Sequence, residues 1–302
     1  MGISLRALGM SSMDEFEMKG LGYLPELPDI RDLDIQSEGI AKILAATKVL
    51  KAAPSTLPAS VDLRKWCPPI EDQGEIGSCT ANAGVGLFEF FERKAFGNHI
   101  DASRLFLYKA TRDLMQVTGD TGAYIRSTLG AMVLFGVPPE KFWPYDIAKF
   151  DEEPSAFLYA FAENYKAVQY YRLDPNGITP DALLTRIKTN MAAGIPAEFG
   201  FSVYDSIRQA ANTGKIPFPC RGDKEVGGHA IDAVGYDDKM KITNTNCNQS
   251  TTGALLIRNS WGDKWGDEGY GWLPYDYILK GLAIDWWTLI KAEWIETGQF
   301  TL

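Results

Sequence analysis

A chain of 302 residues, with 45% hydrophobic and 23% charged residues, is long enough and apolar enough to bury a globular core. Acidic residues outnumber basic ones by 39 to 30, and the resulting net charge of -9, without a basic stripe, argues against nucleic-acid binding. No apolar run approaches the ~18 residues of a membrane span, and no signal peptide is visible, although we favour a secreted or extracytoplasmic location over a cytoplasmic one.

Residues 1–56 form an N-terminal extension that differs from the rest of the chain. The stretch GYLPELPDIRDLDI, residues 22–35, is punctuated by Pro and Asp, which predicts an extended or turn-rich segment. One amphipathic helix is predicted at Gly39–Ala53. Its inward face would carry Ile40, Ile43, Leu44, Thr47 and Leu50. Two interpretations stay open: a permanent part of the fold that completes a sheet, or a removable pro-segment cleaved around Ser55–Thr56.

The remainder divides into a helical half at 57–165 and a β-rich half at 166–302. Periodic apolar residues predict helices in TANAGVGLFEFFERKAF, ASRLFLYKATRDLM and IRSTLGAMVLFG. After the helical stretch LLTRIKTNMAAG, short β-rich runs follow, separated by Gly, Asn and Asp: IPAEFGF, HAIDAVGYDD, MKITNT and ALLIRNSW. The pattern predicts an α+β fold.

Cys79 is the candidate nucleophile. It follows the small residues Gly77 and Ser78 and precedes a predicted helix. A helix N-terminus and a neighbouring imidazolium would both favour its thiolate form. The four cysteines form no CxxC pair and have no neighbouring histidine, so the sequence predicts no zinc site, and we expect no metal or organic cofactor.

The chain has only two histidines. His99, in the loop FGNHID, is interpreted as a solvated loop histidine, whereas His229 follows two glycines at the start of an apolar strand. Asn259, at the end of another strand, can accept an imidazole N–H and thereby fix the ring. Gln73 lies six residues before Cys79, and its amide can donate to a developing oxyanion together with the Cys79 N–H.

The motifs QGEIGSC, GGHAIDAVGYDD and IRNSWGDKWGDEGYG, in this order, resemble those of the papain-like cysteine peptidases, the C1 peptidase family. The resemblance covers about residues 57–278. It implies a two-lobed fold, with a helical lobe, a β-rich barrel-like lobe and an active-site cleft between them. It also implies that Cys79 is the nucleophile, His229 the base and acid, Asn259 the orienting residue and Gln73 the oxyanion donor.

The resemblance further implies that Trp261 covers the contact between His229 and Asn259. Substrate-binding positions are implied at Gly77, Ser78, Gly122, Ala123 and Ala230. Backbone groups of Gly122 and Ala123 would pair with an extended peptide, and Ala230 would line the pocket for the substrate's second side chain.

Three departures from the family pattern suggest a divergent, bacterial-type branch. Ile76 replaces the cysteine that usually forms a disulfide near the nucleophile, and Thr80 replaces a tryptophan. The insertion KMKITNTNCNQSTTG predicts an extended hairpin. Of the remaining cysteines, Cys220 and Cys247 are the favoured disulfide pair, because both lie in the β-rich half.

The implied activity is hydrolysis of peptide bonds through a thioester intermediate, in a protein made as a zymogen. Its expected partners are a peptide or protein substrate and its own N-terminal segment, which would lie in the groove near Gly122 as an intramolecular inhibitor. The alternatives are a non-catalytic peptide-binding or inhibitor-like module with the same fold, and an acyl-transferring variant.

Overall fold

The computed structural model describes residues 19–47, 57–166 and 169–300. Its α-helices are α1 (Glu38–Leu44), α2 (Cys79–Phe96), α3 (Arg104–Leu114), α4 (Ile125–Leu134), α5 (Ala156–Ala162), α6 (Pro180–Ala192), α7 (Asp276–Leu279) and α8 (Ala292–Glu296). Its β-strands are β1 (Ser60–Asp62), β2 (Gln169–Arg172), β3 (Ala197–Tyr204), β4 (Glu225–Asn244), β5 (Gln249–Arg258), β6 (Tyr270–Pro274) and β7 (Ala283–Ile290). The predicted α+β class is confirmed.

Helix α2 runs through the interior, and most of its side chains are buried. It begins at Cys79, one residue before the predicted start at Thr80. It ends at Gly97, whose φ of 80° is left-handed and whose N–H donates to the carbonyl oxygen of Arg93 at 2.9 Å. Glycine enters this conformation without the steric penalty that a Cβ brings, so the helix stops there.

The strands form one sheet in the order β2-β7-β3-β4-β5-β6, and β1 pairs with β4. All of these pairings are antiparallel. The predicted strands HAIDAVGYDD and MKITNT are one continuous strand, β4, which pairs with β5 as the expected long hairpin.

The sheet does not close into a barrel, so the barrel-like part of the prediction is wrong. A barrel requires its first and last strands to pair. Among the described strands, β2 pairs only with β7 and β6 pairs only with β5. Beyond these pairings, Arg172 of β2 and Trp272 of β6 form only isolated bridges, with Asp34 and Lys215, so the two ends of the sheet do not meet.

Helices and sheet share one hydrophobic core. Trp294 of α8 stacks on Phe91 of α2, with ring centroids 5.0 Å apart. The division at residues 57–165 and 166–302 stays a prediction.

Cys220 and Cys247 form the favoured disulfide, which ties the loop before β4 to the turn of its hairpin. None of the described helices combines the length and apolar character needed to cross a lipid bilayer.

The N-terminal extension packs on this core through α1. Ile40 and Leu44 are fully buried, and Ile43 packs against the core. The helix ends at Leu44, earlier than predicted, and the Thr47 hydroxyl donates to the Leu44 carbonyl oxygen. Leu50 and the predicted remainder of the helix lie outside the described residues.

Candidate active site

The Cys79 side chain is fully buried at the first position of α2. Burial raises the pKa of its thiol to about 11, while hydrogen bonds from the backbone N–H groups of Ala230, Gly22 and Thr80 act in the opposite direction. Two of these three groups come from distant parts of the chain. Ala230 follows His229 on β4, and Gly22 belongs to the N-terminal extension.

His229 and Asn259 are hydrogen-bonded, with His229 Nε2 2.8 Å from Asn259 Oδ1. Because an amide oxygen only accepts, Nε2 carries the hydrogen, and in the neutral ring the lone pair is therefore on Nδ1. Among the described residues, Nδ1 has no hydrogen-bond partner. Trp261 stacks on the imidazole at a centroid distance of 4.7 Å and so covers one ring face.

Burial lowers the pKa of His229 to about 4, against a weaker opposite effect of the Asn259 hydrogen bond. Cys79 and His229 are thus both held in their neutral forms at pH 7. This differs from the thiolate that the sequence favours. The physical reason is exclusion of water, since both side chains are completely buried.

Gln73 is fixed beside Ser260, the residue after Asn259. Its Oε1 accepts from the Ser260 hydroxyl at 2.6 Å, and its backbone N–H donates to the Ser260 carbonyl oxygen. This arrangement turns Nε2 toward two carbonyl oxygens, that of Ile76 at 3.0 Å and that of Gly20 at 2.8 Å. The predicted oxyanion donor is therefore occupied by the N-terminal extension.

Residues 20–24 run through the site as a segment outside the named strands. Its backbone is held from both sides: Gly22 accepts from the Ala123 N–H at 2.8 Å, Leu24 donates to Ala123 at 3.0 Å, and Tyr23 donates to Gly228 at 3.2 Å. Tyr23 and Ala123 form a parallel bridge. We name residues 20–24 the covering segment.

Two glycines let the covering segment approach this closely. A Cβ on Gly22 would lie 1.9 Å from the carbonyl oxygen of Gly77, and one on Gly20 would lie 2.3 Å from that of Ile76. Such distances are far below van der Waals contact, so a larger residue at either position would displace the covering segment. Sequence reasoning missed both glycines, although the pair in GLG was a visible sign of close backbone approach.

The implied substrate-binding residues divide into two groups. Ala123 pairs with Gly22 and Leu24 of the covering segment, and Ala230 is in register with Gly200 beside the Tyr23 ring. Gly122 instead donates its N–H to the Tyr108 hydroxyl, and its φ of 72° lets the Gly22 carbonyl approach.

The residues just before Cys79 are bound within the protein. The Gly77 N–H donates to Asp120 at 2.8 Å. Ser78 is fully buried, and its hydroxyl lies 2.6 Å from that of Tyr145. A direct side-chain contact between Ser78 and a substrate is therefore not available in this arrangement.

His99 lies away from these residues, and its interpretation as a solvated loop histidine is wrong. Its ring is partly buried, with Nε2 3.7 Å from Glu89. Burial lowers the pKa of His99, and Arg93 adds to the effect. Glu89 is itself buried, so the pair belongs to the packing behind α2.

Ion pairs hold the chain that follows the covering segment. Arg126 of α4 contacts Glu26 and Asp32, the latter at 2.8 Å. Arg172 at the end of β2 lies 3.4 Å from Asp32, and its backbone N–H donates to the Leu33 carbonyl oxygen at 2.7 Å.

Among the described residues, no group of three or more His, Cys, Asp or Glu is arranged to hold a metal ion.

Comparison with known proteins finds similar sequences and structures over most of the chain. The family model described as papain family cysteine protease matches residues 57–279. An uncharacterized peptidase C1-like protein of Acanthamoeba polyphaga mimivirus is 34% identical over 283 residues, which span 90% of this chain and 86% of the relative.

Two solved structures share the fold. Xylellain, a cysteine protease from Xylella fastidiosa, is 35% identical with a TM-score of 0.70, and the match covers 90% of this chain and 96% of that one. The ragweed cysteine protease Amb a 11 in its proform is 22% identical with a TM-score of 0.57, covering 80% of this chain and 67% of that one.

Proposed function

Since the chain belongs to the papain family of cysteine proteases, we propose that it hydrolyses peptide bonds with Cys79, His229 and Asn259 as its triad and Gln73 as its oxyanion donor. We propose in addition that the conformation described is a latent one, in which the covering segment blocks the cleft. The observation that carries both proposals is the hydrogen bond from Gln73 Nε2 to the Gly20 carbonyl oxygen.

In the proposed reaction His229 Nδ1 takes the thiol proton of Cys79, and the sulfur forms a bond to the substrate's carbonyl carbon. The carbonyl oxygen becomes an oxyanion that accepts from Gln73 Nε2 and the Cys79 N–H. The imidazolium then returns the proton to the leaving amine, which breaks the C–N bond and leaves a thioester.

Water completes the reaction. His229 Nδ1 removes a proton from the water molecule as it attacks the thioester, and the thiol is regenerated as the carboxylic acid leaves. Asn259 keeps Nε2 protonated throughout, because its Oδ1 can only accept. Stacking by Trp261 supports this role, since it covers the ring next to that hydrogen bond.

Latency is supported by three features of the covering segment. It binds the oxyanion donor, it pairs with Ala123, where an extended substrate would pair, and its Gly22 N–H hydrogen-bonds the Cys79 sulfur. A substrate needs the same groups, so the segment and the substrate compete for one site.

Labelling of Cys79 by an epoxide thiol inhibitor tests both proposals. In the full chain we expect slow labelling. Gly22→Ala should label at least tenfold faster, because its Cβ would collide with the Gly77 carbonyl oxygen and displace the segment. Gly39→Ala is the matched control in the same extension, since its Cβ would meet only the Gln169 side chain at 3.4 Å.

Cys79→Ala must abolish labelling and hydrolysis. Labelling that persists in Cys79→Ala would refute the nucleophile assignment. Equal rates for the full chain, Gly22→Ala and Gly39→Ala would refute latency but leave the catalytic assignment intact.

A further inference from the structure

The loop of residues 73–78 carries the two proposed oxyanion donors at its ends. Gln73 supplies its side-chain amide, and the peptide bond between Ser78 and Cys79 supplies the second N–H. An oxyanion hole works when its donors are held at a fixed separation, because both must reach one oxygen atom. The two ends of this loop therefore need a fixed relative position.

One side chain from a distant part of the chain contacts both ends of the loop. The Tyr145 hydroxyl donates to the Gln73 backbone carbonyl oxygen at 2.9 Å and lies 2.6 Å from the Ser78 hydroxyl oxygen. A phenol has a single hydrogen, and the Gln73 carbonyl oxygen takes it because a carbonyl can only accept. The Ser78 hydroxyl is therefore the donor in the second bond, and one phenol oxygen joins the two ends of the loop.

The Tyr145 contact completes the binding of the Gln73 backbone. The Gln73 N–H donates to the Ser260 carbonyl oxygen at 2.8 Å, and its C=O accepts from Tyr145. Gln73 and Ser78 are both fully buried, and a buried polar atom that loses its partner is costly, so these bonds are maintained in the folded protein. Burial also raises the pKa of Tyr145, so the phenol keeps the hydrogen that it donates.

Further contacts fix Ser78 from the side of helix α2. Asn82, one turn into the helix, donates its amide to the Ser78 carbonyl and hydroxyl oxygens, each at 3.0 Å. Asn82 Oδ1 in turn accepts from Arg104 Nη1 at 3.4 Å. The donors thus all point the same way along a chain that starts at Arg104 and ends at the Gln73 carbonyl oxygen. Hydrogen bonds arranged in this way polarise and strengthen one another.

Arg104 also holds the Tyr145 ring. Its guanidinium carbon lies 4.1 Å from the ring centroid, which is a cation–π contact. Two carboxylates fix the guanidinium there: Glu140 accepts from Nε at 3.1 Å and from Nη2 at 2.9 Å, and Glu71 lies 2.7 Å from Nη1. Tyr145 belongs to the loop between α4 and α5, so these contacts keep a distant loop residue beside the proposed oxyanion donors.

We propose that Tyr145 is a positioning residue of the oxyanion hole: by bridging Gln73 and Ser78, it holds the Gln73 amide at the correct distance from the Cys79 N–H. The inference rests on the proposed function and deepens it. In this role Tyr145 contacts neither the substrate nor the reacting atoms and acts through Gln73. Loss of its hydroxyl should therefore slow the step in which the oxyanion forms and leave substrate binding unchanged.

The test measures the steady-state kinetics of Tyr145→Phe in the full chain activated by Gly22→Ala. Phenylalanine keeps the ring against Arg104 and removes the bridging hydroxyl. For a fluorogenic dipeptide amide we expect kcat to fall about tenfold, less than the loss expected for the donor itself, and KM to change by less than about twofold. Alkylation of Cys79 by iodoacetamide, in which the sulfur displaces iodide and no oxyanion forms, should keep its rate within about twofold.

A double-mutant cycle with Gln73→Ala tests whether Tyr145 acts through Gln73. Helix α2 fixes the Cys79 N–H by itself, so without the Gln73 amide the bridge has no donor left to position. We expect Tyr145→Phe to lower kcat by less than about twofold in the Gln73→Ala background. Ser78→Ala, which breaks the bridge at its other end, should reproduce the loss in kcat if Tyr145→Phe fails to fold.

Tyr236→Phe in the same background is the matched control. The Tyr236 hydroxyl donates to the Pro58 carbonyl oxygen at 2.8 Å, where β4 pairs with β1. This variant also loses one bond to a backbone carbonyl, but not at the loop of residues 73–78. We expect it to keep the kcat, KM and alkylation rate of its parent chain, with a decrease in melting temperature comparable to that of Tyr145→Phe.

Three results would overturn the positioning role while leaving the protease assignment standing: an unchanged kcat in Tyr145→Phe, a loss in kcat that persists undiminished in the Gln73→Ala background, or equal losses of hydrolysis and alkylation. Failure of every chain to hydrolyse the substrate, together with failure of the epoxide to label Cys79 in a folded Gly22→Ala chain, would overturn the proposed function and this inference with it.

Discussion

The side-chain nitrogen of Gln73 lies 2.8 Å from the carbonyl oxygen of Gly20, although 53 residues separate them in the chain. The group that we assign to oxyanion binding is therefore already bound to a peptide carbonyl. It is held in that orientation by Ser260, so it needs no rearrangement to serve a substrate in the same way.

Substitution of the proposed catalytic residues should abolish hydrolysis without unfolding the protein. We expect Cys79→Ser and His229→Ala to lose activity, because each removes the nucleophile or its proton acceptor. Gln73→Ala should lower kcat by about 10²–10³-fold, the usual effect of losing one oxyanion donor. Steady-state kinetics on chains activated by Gly22→Ala would measure these effects, and circular dichroism would verify the fold. Full activity of Cys79→Ser would contradict the assignment.

The N-terminal extension should act as a separable inhibitor. We expect a chain that starts at Leu57 to hydrolyse peptides faster than the full chain, and the added 1–55 peptide to inhibit it by refilling the cleft. The comparison of initial rates at several peptide concentrations would measure this. If the shortened chain is unfolded, or is no faster and is not inhibited, the extension is a permanent part of the fold.

Gly200→Ala should both release the covering segment and narrow the pocket that holds the Tyr23 ring of that segment. The new Cβ would lie 2.0 Å from Tyr23 Cζ, so the ring must leave. Labelling of Cys79 in the full chain should become faster, while kcat/KM for substrates with an aromatic second residue falls at least tenfold relative to those with alanine.

Gly130→Ala on α4 is the control for this substitution. Its Cβ would meet the Tyr170 hydroxyl at 3.5 Å and Leu114 Cδ2 at 3.9 Å, both ordinary contacts. Retention of the aromatic preference in Gly200→Ala would show that the Tyr23 pocket is not used by substrates.

The alkylation of Cys79 by iodoacetamide should depend steeply on pH in the full chain. Burial raises the pKa of this thiol to about 11, so the reactive thiolate is lost as the pH falls below that value. At pH 7 its thiolate fraction should be about 300-fold below that of a free thiol of pKa ~8.5, and the rate should rise about tenfold per pH unit up to pH 10.

The Gly22→Ala chain should lose this steep dependence, because the displaced segment exposes the thiol to water and to its imidazole partner. Cys79→Ala supplies the background from Cys67, whose pKa burial raises to about 12. Alkylation of the full chain at neutral pH as fast as that of a free thiol would contradict the covered site.

Each of the candidate catalytic residues carries a local signal in the sequence. Cys79 opens a helix after small residues, His229 follows two glycines, and Asn259 ends a strand; the structure joins the last two in one hydrogen bond. Helix α2 was equally visible, since both its apolar periodicity and its terminal Gly97 are properties of neighbouring residues.

The surroundings of Asp285 could not be predicted in this way, because they depend on distant strands. Its carboxylate contacts Arg172 of β2 and Tyr23 of the extension, and its φ results from a register shift against β3. None of these relationships produces a recognisable pattern in the sequence around Asp285. The open sheet was missed for the same reason, since closure depends on whether β2 and β6 meet.

The full burial of Ile40 and Leu44 determines what a single cut would do. A break between residues 47 and 57 would leave α1 in the core and the covering segment on Gln73, so the two pieces would stay bound. The covalent link between the N-terminal piece and the rest of the chain, however, would be lost. The piece would then no longer be held near the cleft at an effective concentration on the order of millimolar. Inhibition of the cut protein would then depend on its concentration. The protein would be inactive at high concentration and active once it is diluted below the dissociation constant of its own N-terminal piece.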